Sequence, residues 1–247
     1  NETVVLRRDN DGDLMQSHVV LPASVKHKRY RQEFRTRFCE GLLARRILLA
    51  EGDTEAAAMP VAARRLAELS PGEYVSLEAL GLCVVNAGSD SQIEDLGDLY
   101  TGLGKEVYGL CDNQEDEQKA KIEKSVAQLF MHTEKGFEDL VLKNTTQEAI
   151  ERFVDTLEWP SHLLTKYPDP KTSASDALKD YFSWTKGNWG IADFLGQCSE
   201  EEIPEWIRQT CKALADSCQY VVEDLEGAAG SEEAASADLI GDEDGLA

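Results

Sequence analysis

The sequence predicts an α/β protein, with a mostly parallel sheet flanked by helices on both faces and an added C-terminal helical subdomain. Three observations lead to this class. The apolar runs at 46–50, 82–86 and 107–111 are short and continuous rather than alternating, as strands buried on both faces require. Helical spacing of apolar residues separates each run from the next, so the connections are crossovers of the length that parallel strands need. From Thr146 onward the chain reads helical, broken only at Trp159-Pro160 and at Tyr167-Pro168-Asp169-Pro170.

Taken in order, residues 1–25 alternate weakly, in Thr3-Val4-Val5-Leu6 and Ser17-His18-Val19-Val20-Leu21, around the turn Asp9-Asn10-Asp11-Gly12-Asp13. That is a short hairpin, too small to stand alone. From Lys28 to Ala44, Tyr30, Phe34, Phe38, Leu42 and Leu43 recur near helical spacing, which predicts a basic amphipathic helix leading into the first buried strand. Thr54 to Leu69 is a helix that must be kinked or restarted at Pro60. The second strand, Leu82 to Asn86, ends at Ala87-Gly88-Ser89; a helix over 93–103 is closed by Gly104; the third strand is Val107 to Cys111. Next come a charged helix over 115–127, a short strand at 129–132 and a helix opened by Gly136-Phe137-Glu138-Asp139-Leu140. The last helix spans 203–225, with Pro204 near its first turn and Ile207, Cys211, Leu214, Cys218 and Val221 or Val222 on one face. Beyond Gly227 the composition is Ala, Gly, Ser and acid, that of a weakly ordered tail.

Composition removes several function classes. The 247 residues, 42% hydrophobic, can bury one substantial core or two small ones. No apolar run approaches the roughly 20 residues that cross a bilayer, and no signal-peptide pattern opens the chain. The chain starts at Asn1 without a methionine, so it is expected to be a piece of something longer. Six cysteines contain no CxxC pair, which predicts reduced thiols and a cytoplasmic location; the four histidines stand at no zinc spacing with them. No GxxxxGK[ST] occurs, so the chain holds no P-loop.

The net charge of −22 argues, as a sum, against a nucleic-acid partner. Its distribution matters more. From Ala213 to Ala247 there are ten acids and no Lys or Arg, whereas between Lys26 and Arg46 eight Lys and Arg face only Glu33 and Glu40. The basic stretch can be a DNA track, a solvated face or a contact with another domain; the acidic tail solubilises the chain or competes with DNA for the basic helix.

In a doubly wound sheet, ligands sit outside the carboxyl ends of the strands. Glu51 ends the first strand, Ser89 lies just past the second, Asp112 ends the third, and Glu55 projects from the first helical turn toward the same edge. Like charges gathered within about 4 to 6 Å raise one another's pKa, so such a cluster calls for a cation. An all-oxygen donor set selects Mg²⁺, Mn²⁺ or Ca²⁺ over zinc or copper. The alternative is a set of solvated loop carboxylates.

Leu48-Leu49-Ala50-Glu51-Gly52-Asp53-Thr54-Glu55, the strand and glycine at Val84 to Gly88, and Gly109-Leu110-Cys111-Asp112 resemble the TOPRIM fold of topoisomerases, primases and related nucleases. The extended Glu-Gly-Asp-Thr-Glu form is similar to the OLD (overcoming lysogenization defect) endonucleases, in which an ABC-type ATPase domain precedes a TOPRIM nuclease domain. Lys135 to Leu140 and Trp184 to Gly190, followed by Glu202-Ile203-Pro204, extend the resemblance over roughly 38–215.

The resemblance implies divalent-metal-dependent cleavage of DNA phosphodiesters by two Mg²⁺ or Mn²⁺ ions, with Ca²⁺ able to stand in for them. Glu51 and Glu55 would bind one ion, Asp112 would hold or bridge the second, Glu138 would complete the cluster, and Lys186 would stabilise the phosphate or leaving oxygen. The TOPRIM pattern has a second aspartate two positions after the first, where this chain has Gln114, so Asp116 becomes a substitute ligand and Ser89 a donor to one of the ligands. Plainer readings stand beside these: Glu138 as an acid favoured at a helix N-terminus, Lys186 as a surface lysine, Asp116 as part of a solvated helix start, and His132 as a satisfied core or surface histidine. The implied organisation is 1–45, a hairpin and basic helix leading in from an ATPase domain; 46–145, the TOPRIM catalytic domain; 146–225, the helical subdomain; and 226–247, the acidic tail. DNA, the ATPase domain and a second copy held through that domain are the implied partners, with no membrane. The rival functions are topoisomerase- or primase-like chemistry and a non-catalytic module that binds metal or a partner.

Overall fold

A computed structural model describes residues 4–8, 13–18, 39–185 and 190–218. The basic stretch before Cys39, the loop carrying Lys186 and the acidic tail lie outside the described residues.

At the N-terminus, strand β1 (Val4–Arg8) pairs antiparallel with β2 (Leu14–His18), the hairpin that the alternation predicts. Of the basic helix, the described part is a short α1 (Cys39–Leu43).

Four parallel strands form the sheet: β3 (Arg46–Ala50), β4 (Leu82–Asn86), β5 (Glu106–Cys111) and β6 (Gln128–Met131), in the order β4-β3-β5-β6. Ile47, Leu48, Leu49 and Ala50 of the central strand are wholly buried, so both faces must be covered, and their unbroken apolar run is the consequence. Helix α2 (Asp53–Leu69) leads from β3 to β4, α3 (Asp90–Gly102) carries the chain across β3 to β5, and α4 (Asp116–Ser125) leads to β6. Ala50 stands in register with Asn86 on one side and Leu110 on the other. The chain departs from β3 in one direction and returns on its other side, so the switch point lies between β3 and β5.

Alternate residues of β3 feed two separate cores. Ile47 and Leu49 pack with Val85, Val107 and Cys111 against α3 and Ile122 of α4. Leu48 packs with Tyr108 and Leu110 against Ala58, Met59, Ala62 and Leu66 of α2. That second core continues without a break into the C-terminal helices α5 (Phe137–Lys143), α6 (Gln147–Thr156), α8 (Ala174–Trp184), α9 (Gly190–Gln197) and α10 (Glu205–Ser217). A short α7 (Ser161–Lys166) lies between α6 and α8. The helical addition therefore shares its core with the sheet. Arg46, at the foot of β3, ties the two: its guanidinium bonds Glu106 and donates to the carbonyls of Leu80 and Cys218.

Two expectations are adjusted. Helix α2 does not restart at Pro60 but continues through it; the proline removes one internal N–H while Ala58, Ala62 and Ala63 stay buried. The last helix begins at Glu205 with Pro204 as its N-cap rather than inside its first turn, and the chain after Cys218 lies outside the described residues.

A carboxylate cluster at the switch point

Glu51 extends the ladder one residue past β3, its N–H donating to the Leu110 carbonyl at 3.0 Å. This fixes its side chain beside the end of β5. The Asp112 N–H and the Gln114 side-chain amide both donate to Glu51 Oε2, at 3.1 and 3.2 Å. One carboxylate oxygen is thus held by two donors from the loop after β5. Burial raises the Glu51 pKa; the Asp112 N–H opposes this, and the charges of Asp112 and Asp90 add to the rise.

Glu55 stands in the first turn of α2 with only 6% of its surface exposed. Burial pushes its pKa up to about 7, and the neighbouring charges of Asp112, Glu138 and Glu51 act in the same direction. Gly52 makes the space for it: a Cβ there would lie 2.9 Å from Glu55 Oε2. Glu138 occupies the first turn of α5, where the Thr54 hydroxyl donates to its Oε1 at 3.1 Å. Glu138 is therefore both a helix N-terminal acid and a member of the cluster. A Cβ at Gly136 would lie 3.3 Å from Glu138 Oε2 and 3.9 Å from Asp112 Oδ2, so the absent side chain leaves these two oxygens facing a common gap.

Glu51, Glu55, Asp112 and Glu138 thus come from four places in the chain to one rim of the sheet. None of them is ion-paired to a Lys or Arg among the described residues; the side chain beside Asp112 is His132, whose Nε2 lies 2.9 Å from Asp112 Oδ1. Among those residues no group of three or more His, Cys, Asp or Glu side chains is arranged to hold a metal ion as it stands. The donor set nevertheless fits a hard divalent cation. It is all oxygen and mutually destabilised, and it surrounds gaps kept open by Gly52 and Gly136.

The other expected residues stand differently. Asp116 is exposed at the first turn of α4, and Gln114, not Asp116, reaches Glu51. The Ser89 hydroxyl lies 3.1 Å from that of Ser91, at the N-terminus of α3. Lys186 lies outside the described residues. Glu202 forms a two-pronged pair with Arg152, at 2.9 and 2.6 Å, which ties α6 to the turn before α10. Sequence reasoning misses Asp90, although the same strand-end rule that finds Ser89 reaches it one residue later. The expectation of a satisfied His132 is corrected too. The ring is 2% exposed, yet neither of its nitrogens has a hydrogen-bond partner.

A four-stranded parallel sheet with acids gathered at the switch point between β3 and β5, and a glycine directly after the first acid, defines a TOPRIM-type domain. Residues 42–113 match the family model described as "Overcoming lysogenization defect protein-like, TOPRIM domain". TOPRIM domains generally bind divalent metals. Among solved structures, the chain is similar to the C-terminal region of the Burkholderia pseudomallei OLD protein, with 19% identity, 71% of this chain and 98% of that one covered, and a TM-score of 0.48. It is also similar to the C-terminal region of the Xanthomonas campestris pv. campestris OLD protein, with 19% identity, coverage of 73% and 96%, and a TM-score of 0.45. No curated protein sequence matches it. No helix among the described residues is long and apolar enough to cross a membrane.

Proposed function

We propose that this chain is the nuclease portion of an OLD-like protein and hydrolyses DNA phosphodiesters in a divalent-metal-dependent reaction. The observation that carries this reading is the meeting of Glu51, Glu55, Asp112 and Glu138 at one rim without a compensating lysine or arginine among the described residues. Glu51 and Glu55 would hold one Mg²⁺ or Mn²⁺, and Asp112 with Glu138 the second, with Asp116 a lesser ligand drawn in from α4. Two such ions polarise a phosphoryl oxygen, lower the pKa of an attacking water and neutralise a departing oxygen. The protein's part is orientation. The Asp112 N–H and the Gln114 amide pin Glu51 Oε2 and leave Oε1 for the rim. Thr54 pins Glu138 Oε1 in the same way and leaves Oε2. Lys186 would steady the phosphate.

The organisation 1–45, 46–145, 146–225 and 226–247 belongs to this proposal, with DNA as substrate, an ABC-type ATPase domain as partner and a second copy held through that domain. Six unpaired cysteines support a reducing compartment such as the cytoplasm. Topoisomerase-like chemistry finds less support: Tyr74, Tyr100 and Tyr108 are buried, and the half-buried Tyr181 packs against Trp159 and Trp184, away from the carboxylate cluster in sequence and element. A non-catalytic metal-binding module is the second reading. It is favoured by Gln114, whose neutral amide stands at Glu51 where a carboxylate would add charge.

Incubation of supercoiled plasmid with the chain and Mg²⁺ or Mn²⁺ tests the proposal. Nicked or linear product, abolished by EDTA, is expected. Intact plasmid together with normal metal binding would leave the second reading.

A further inference from the structure

His132 lies immediately after β6 with its ring packed edge-on between two aromatic side chains, Phe137 at 6.2 Å and Trp206 at 5.2 Å between centroids. It is almost wholly buried. In that slot an apolar side chain of similar size would leave nothing unsatisfied, whereas the imidazole leaves both of its nitrogens without a hydrogen-bond partner. Outside the slot, the ring faces Asp112. Nε2 lies 2.9 Å from Asp112 Oδ1, an oxygen that is itself buried without a hydrogen-bond partner. A modest turn of the ring aligns the pair and satisfies both atoms. The opposite oxygen, Oδ2, faces the gap at Gly136 that it shares with Glu138 Oε2.

We propose that His132 is a positioning residue for Asp112: its Nε2–H holds Oδ1 inside the fold, so that Oδ2 is presented to the rim as a single-oxygen ligand. This rests on the metal-dependent reading of the cluster and deepens it, since it assigns each oxygen of Asp112 a separate task. Histidine and carboxylate paired behind a cation are a recurrent means of fixing ligand orientation. Here the histidine stands behind the carboxylate. The pairing gives Asp112 a single-oxygen presentation matching the one that Asp112 N–H and Gln114 impose on Glu51.

The test is Mn²⁺ binding to the full chain, followed by the electron paramagnetic resonance signal of free Mn²⁺, for wild type and three variants. Glutamine places its amide nitrogen where histidine places Nε2, asparagine where histidine places Nδ1, and leucine supplies neither. His132→Leu and His132→Asn are expected to weaken Mn²⁺ binding by about 10-fold or more, and His132→Gln to stay close to wild type. A purely structural role would not separate Gln from Asn in this way. Equal affinity in the Gln and Asn variants, or wild-type affinity in the Leu variant, overturns the proposal and leaves the metal site standing. Absence of Mn²⁺ binding by wild type overturns both. Should His132→Leu fail to fold, the comparison of Gln with Asn decides alone.

Discussion

Asp112 and Glu51, 61 residues apart in the chain, are joined by a hydrogen bond from the Asp112 backbone N–H to Glu51 Oε2 at 3.1 Å. The bond forms because β3 and β5 are parallel neighbours whose carboxyl ends stop at the same level, with Ala50 opposite Leu110. Two acids that repel are thereby locked side by side, an arrangement that is unfavourable for the isolated fold and useful for holding a cation.

Glu51→Ala or Asp112→Ala is expected to lower plasmid nicking by about 100-fold or more, since each removes charge that the reaction would use. Neither should unfold the domain, because both side chains stand at the rim and contribute nothing to the two cores. Nicking rate and circular dichroism measured on the same samples check the pair of outcomes.

The stability of the metal-free protein should fall as pH rises from about 4.5 to about 7. The Glu55 carboxyl is raised from 4.5 to about 7 in the fold, so over that interval the folded chain holds a proton that the unfolded chain has released. The stabilisation is whole below the lower value and is lost as pH passes the upper one. The span corresponds to at most about 3 kcal/mol. Urea melts in EDTA across this range measure it, and saturating Mg²⁺ should restore stability above pH 7 by favouring the ionised form.

Glu55→Gln removes the ionisation and keeps the shape. At pH 8 without metal this variant is expected to be more stable than wild type by about 1–3 kcal/mol, and to lose the stabilisation by Mg²⁺. Thermal melts with and without Mg²⁺ give both numbers. A variant less stable than wild type at pH 8 would contradict repulsion among these carboxylates.

Gly136→Ala should weaken cation binding while leaving the melting temperature almost unchanged. The backbone at Gly136 is extended and accepts any residue, but the new Cβ would stand 3.3 Å from Glu138 Oε2 and push that carboxylate aside. Titration calorimetry with Mn²⁺ reads the loss, expected to be several-fold.

Gly97→Ala provides the contrast. Its Cβ would lie 2.6 Å from Ser125 Oγ and 2.7 Å from the Ser125 carbonyl oxygen, where α3 packs on the end of α4. Backbone cannot yield as a side-chain tip can, so a loss of about 2–3 kcal/mol is expected, read as a drop of several degrees in melting temperature.

Much of this arrangement is legible along the chain, and the reasons are local. Leu82–Asn86 matches its strand, and the charged helix and short strand after Asp112 fall within a few residues of α4 and β6, because continuous apolar runs and helical spacing are themselves the record of burial. Gly104 closes its helix in the left-handed conformation that the residue type announces. Pro60 does not restart its helix, since a proline's local cost says nothing of the packing around it. The carboxyl-end rule finds the acids Glu51, Glu55 and Asp112 one at a time, and it stops at Ser89, one residue short of Asp90.

The order of elements, the parallel sheet and the candidate acids were thus determined by the sequence alone, because each depends on neighbours within a few residues of chain. Only the tertiary structure decided which oxygen of Glu51 and which of Glu138 is tied down. It brought the Gln114 amide to Glu51, the Thr54 hydroxyl to Glu138 and a buried, unsatisfied His132 to Asp112. Those relationships depend on the register of strands and the seating of helices, both set by packing between segments far apart in the chain, and no local pattern encodes them.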